Sequence, residues 1–148
     1  MSGNSPSPFA LTPGVFAQTE AEAAAERDAA MMARERAYEK DEEATREEIL
    51  AAYADHSVQE ALKAATAAYA CACASASASA SASASASACA DESNIAAAKS
   101  VLDRVTADAI VARARLREAQ RLADIFAIAS EEAAKRVVSS TGRTLSHF

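Results

Sequence analysis

The chain has 148 residues, with 15 Lys and Arg against 21 Asp and Glu for a net charge of −6. Alanine fills 43 positions and serine 17, while Leu, Ile, Val, Met and Phe together fill 26 and Trp none; at ~0.8 kcal/mol per buried CH₂ such a chain cannot build one bulky core. Three glycines argue against sandwiches, barrels and Gly-dependent phosphate loops, and the acidic balance argues against nucleic acid, which needs a Lys and Arg surplus.

Residues 1–18 read as an extended arm, because Gly3, Pro6, Pro8, Pro13 and Gly14 interrupt any regular element. Phe9, Leu11, Val15 and Phe16 give the arm apolar teeth, suited either to a free tail or to docking in a partner's groove. With neither a basic n-region nor an apolar h-region, the arm is not expected to act as a secretory signal.

Thr19-Glu20-Ala21-Glu22 has the form of a capping box, in which the Thr hydroxyl takes an orphan amide and Glu22 reaches back. A first helix is predicted over 19–70, a stretch without Gly or Pro and dominated by strong helix formers. Its apolar stripe is weak: Met31, Met32, Tyr38, Ile49, Leu50, Tyr53, Val58 and Leu62. Met31 and Met32 are assigned to core packing rather than to a sulfur site.

Residues 71–90 run CACASASASASASASASACA, with Cys or Ser at every odd position and Ala at every even one. Three readings stay open for this low-complexity connector. Period two suits a strand. Ala and Ser also suit a helix, on which period two spreads serine all round. A dipeptide expansion tolerated in a loop fits as well. In the strand reading Cys73 and Cys89 face each other at ~5.5 Å, compatible with a disulfide, and Cys71 stays free. An odd cysteine count without a signal points instead to a reducing compartment. Residues 64–90 carry no charge, a run long enough to cross a bilayer. Alanine and seven serines lack the hydropathy that insertion needs, so no membrane partner is expected.

A second helix is predicted over 91–140, starting at Asp91 or Ser93, stopping near Gly142, with a tail at 141–148. Alternating steps of three and four from residue 95 to 137 trace a heptad seam, with Ile95, Leu102, Val105, Leu116, Phe126 and Val137 as its large members and alanine filling most of the rest. A second apolar line, Val101, Ile110, Val111, Leu122, Ile125 and Ile128, lies off the seam, so this helix needs more than one neighbour.

Charge then suggests how the helices meet. Residues 20–48 hold 11 acids and 5 bases, whereas Arg113, Arg115, Arg117 and Arg121 cluster in the second helix. A hairpin centred near residue 80 sets residue n against roughly 161 − n. The four arginines then face the block containing Asp41, Glu42, Glu43, Glu47 and Glu48, which would fix an antiparallel register. The rival is one continuous helix of ~119 residues.

No catalytic, cofactor-binding or metal-ligating constellation is expected. His56 and His147 stand far apart, the Asp41-Glu42-Glu43 run suits a solvated face, and the serines have no base nearby. Ser146-His147-Phe148 has the S-x-Φ form of peptides that add a strand to PDZ-type grooves, set against a frayed tail. The fold class expected is all-α: an elongated, Ala-rich helical hairpin or coiled coil with an extended N-terminal arm. The function expected is that of a non-enzymatic structural or accessory subunit of a viral particle, filament or organellar complex. Its location would be cytoplasmic or within such an assembly, and its partners other protein subunits, through self-association or a larger complex. The competing expectations are a helical adaptor or dimerisation module presenting short motifs, and a silk-like fibre built on the Ser-Ala tract.

Overall fold

The computed structural model describes residues 13–82 and 85–145, and side chains over 19–78 and 90–142. The described residues form two helices, α1 (Pro13–Ala82) and α2 (Ser85–Leu145), and contain no strand. The chain is all-α, and the two helices pack against each other as a hairpin.

Both helices are longer than their sequence signals predict. Proline is preorganised for the first helical position, where its missing N–H costs nothing, and α1 starts at Pro13. Thr19 and Glu22 therefore lie inside the helix rather than at its N-cap. Val15 and Phe16 belong to α1, while Phe9 and Leu11 lie outside the described residues. At the other end, α2 begins at Ser85, ahead of Asp91 and Ser93, and continues through Gly142 to Leu145. The space around Gly142 is open, with no atom within 4 Å of an added Cβ. The Ser146-His147-Phe148 motif is outside the described residues.

The Ser-Ala tract is helical over 71–82 and 85–90, which overturns the strand reading for those residues. Alanine's propensity drives this, and the hydroxyls find partners within the helix. Ser77 Oγ donates to the Cys73 carbonyl at 3.1 Å. Thr66 and Thr106 do the same to the carbonyls of Leu62 and Leu102, at 2.8 and 2.7 Å. Cys73 is a free, half-buried thiol, and the side chain of Cys89, its expected partner, lies outside the described residues.

The chain divides into two units, residues 43–124 and residues 1–42 with 125–148, and both helices contribute to each. Within 43–124 the helices run antiparallel, and Arg113 Nε donates to Asp55 Oδ1 at 3.1 Å across the pair. Residue n of α1 then lies level with about 167 − n of α2. Buried Ala44, Asp55, Ala65, Ala109, Ala112 and Ala123 all lie in this unit. The register expected from the sequence was 161 − n, short by nearly a heptad. The cause is the length of α1: it runs on to Ala82, beyond the centre of the tract, and α2 starts only at Ser85.

Candidate functional site

The surfaces available for function are helix faces, beginning with the face of α2 turned to α1. Ile95, Leu102, Val105, Leu116, Phe126 and Val137 are all half-buried, and Ala109, Ala112 and Ala123 between them are buried. Every seam position from 95 to 137 is at least half-buried. Alanine at buried positions of a helix pair lets the axes approach to ~8 Å, the close end of the usual range.

The matching face of α1 is one that apolar patterning missed. An alanine recurs every seventh residue from Ala23 to Ala72, with Val58 replacing one, and each of these positions is buried or half-buried. Interleaved with it runs a second row that is charged at Arg27, Asp41, Glu48 and Asp55 and becomes apolar only at Leu62 and Tyr69. These charges hide the heptad from any hydrophobicity scan. The period-seven alanine was the signal that could have found it. Asp55 is the one buried polar residue among those described, at 8% exposure, while the Arg113 side chain that meets it is half exposed. Long charged side chains at such positions lay their stems along small residues opposite, with the charge near water.

Of the four arginines expected to set the charge register, Arg113 meets Asp55, which lies outside the acidic block 41–48. Arg113, Arg115, Arg117 and Arg121 lie level with the stretch 46–54 rather than 40–48. Glu43 and Glu47 are exposed within the same unit, and Asp41 and Glu42 belong to the other one. Arg121 is instead bound in its own helix, donating from Nε and a terminal nitrogen to Glu118 at 2.9 and 2.6 Å. That guanidinium holds the Glu118 carboxyl below its usual range. Lys135 does the same to Glu131, and Lys63 to Glu60, each from one turn away. A hydrogen bond with the Cys73 thiol pushes the Tyr69 phenol above its ordinary value.

Away from the seam, large apolar side chains are uncovered. Met31 and Met32 are 52% and 55% exposed, which corrects their assignment to core packing: they lie off the row that faces α2. Tyr38, Ile49, Leu50 and Tyr53 are exposed on α1 as well. On α2 the whole second apolar line stands in the open, from Val101 through Ile110, Val111, Leu122 and Ile125 to Ile128, together with Val138. Among the described residues no large side chain is fully buried.

Other chemistry is sparse. A shallow hollow is lined by Met31, Arg34, Glu35 and Tyr38, all from α1. Among the described residues no group of three or more His, Cys, Asp and Glu could hold a metal ion. No described helix is long and apolar enough to cross a membrane. No family model matches the chain, and neither a curated protein nor a solved structure is significantly similar to it.

Proposed function

We propose that this chain is a non-catalytic structural or accessory subunit of a larger intracellular or viral assembly, working through helix–helix packing. In this reading the hairpin is an antiparallel coiled coil closed by the alanine seam, and its outward apolar residues are contact surface for other subunits. Phe9 and Leu11 of the arm, with Val15 and Phe16 of the first turns of α1, add a docking segment. The observation that carries the reading is the distribution of apolar surface. The described residues bury alanines and Asp55, while thirteen large apolar side chains stand exposed. A monomer that works alone rarely leaves that much apolar surface in water, and large exposed apolar areas mark interaction sites.

The test is the behaviour of the isolated chain. Thermal unfolding followed by far-UV circular dichroism, repeated over a hundredfold range of protein concentration, is expected to give a midpoint that rises with concentration, because association stabilises the folded form by mass action. A cooperative, concentration-independent transition, with a monomer by sedimentation throughout, overturns the subunit reading.

A further inference from the structure

We infer that a second copy of this chain docks antiparallel on α2 along the line Val111, Arg115, Glu118 and Leu122, about a two-fold axis passing between Arg115 and Glu118. The inference rests on the subunit reading and names one partner for it.

The four residues are spaced by four, three and four, which places them within about 60° of one another on a helix of 100° per residue. All four lie in the unit 43–124 and all are exposed, Val111 by 51% and Leu122 by 36%. Their order is self-complementary. When two such lines meet antiparallel about that axis, Arg115 falls opposite the second copy's Glu118, and Val111 opposite its Leu122. The two-fold then repeats both pairs. A self-complementary patch is what an isologous dimer requires. Opposite charges flanked by apolar residues set the register of such a contact, because a slip along the helix brings like charges together.

The neighbouring charges fit this arrangement. Arg121 occupies Glu118 from within the helix, but a carboxylate has acceptor sites for two guanidinium groups. On α1, Leu50 lies level with the axis and is 57% exposed, adding apolar surface there.

Charge reversal provides the test, using the full chain and sedimentation equilibrium with circular dichroism as a control for helix content. The unchanged chain is expected to dimerise reversibly. Arg115→Glu sets two like-charge contacts across the axis and is expected to weaken the dimer at least tenfold at low salt. The double variant Arg115→Glu with Glu118→Arg recreates both pairs in reversed polarity and is expected to restore dimerisation to within a few-fold. Val111→Glu is expected to weaken the dimer without rescue by either charge change. A dimer indifferent to Arg115→Glu, or a double variant no better than the single one, overturns the proposed axis. A melting midpoint that still rises with concentration in the Arg115→Glu chain, whose dimer is unchanged by the reversal, overturns the proposed axis while leaving the subunit reading standing; a chain that is monomeric throughout with a concentration-independent midpoint overturns both.

Discussion

Asp55 holds a seam position that an apolar residue would ordinarily take. It is 8% exposed, and Arg113 reaches across from α2 to its carboxylate. A half-exposed pair of this kind adds little net stability but penalises other registers, since a one-heptad slip would part the two charges. Gly142 tests a different residue-scale point. It lies inside α2 with open space where a side chain would go. Gly142→Ala is therefore expected to stabilise the helix end by about 0.5–1 kcal/mol, since alanine loses less backbone entropy. A urea titration checks the sign: a true left-handed stop at this residue would instead be destabilised by the change. The exposed pairs predict a pH response. Glu60, Glu118 and Glu131 have folded pKa values depressed by Lys63, Arg121 and Lys135. Such groups contribute stability in full above their unfolded pKa, and lose it as pH falls through the folded value. Helix content at low ionic strength is expected to hold from pH 7 to about 5 and to decline below about 4. Far-UV circular dichroism should show a shallower decline for Glu118→Gln, and a small effect in all cases because the pairs are exposed.

Between the helices, geometry depends on what is missing from the side chains as much as on what they bring. Ala44 and Ala123 are both buried, at 7% exposure, and both lie in the unit 43–124. Ala123→Leu inserts three carbons at a buried position, so it is expected to cost about 1–3 kcal/mol in a denaturant melt. A gain would mean the helices separate freely there. The helical character of both segments was legible because alanine, glutamate and arginine dominate them. The row of α2 that turns to α1 follows an apolar spacing that can be traced by eye. The corresponding face of α1 could not be traced, since one of its two rows carries charge at Arg27, Arg34, Asp41, Glu48 and Asp55. Helix ends were misplaced where local signals competed with propensity: Thr19 and Glu22 resemble a cap, Gly142 resembles a stop, and the helix runs through all three.

At the scale of the whole molecule, the apolar residues fall into two classes with different fates. Among the described residues the buried apolar positions are alanines, and the larger side chains are divided between half-buried seam positions and the solvent. All the buried residues described lie in the unit 43–124; in the other unit the described residues are at most half-buried. If the exposed side chains are contact surface, stability should rise with protein concentration, and the melts across concentration measure that directly.

Composition alone determined that this protein is helical and that it lacks the bulk for a single large core, because propensity and side-chain volume are local properties that neighbours cannot change. It also showed that α2 carries more apolar surface than one neighbour can cover. The tertiary structure decided the register, the place of the charges within the α1 seam, and which apolar residues are left uncovered. Those depend on where the chain reverses, and a two-residue repeat of serine and alanine contains no local signal to mark that point.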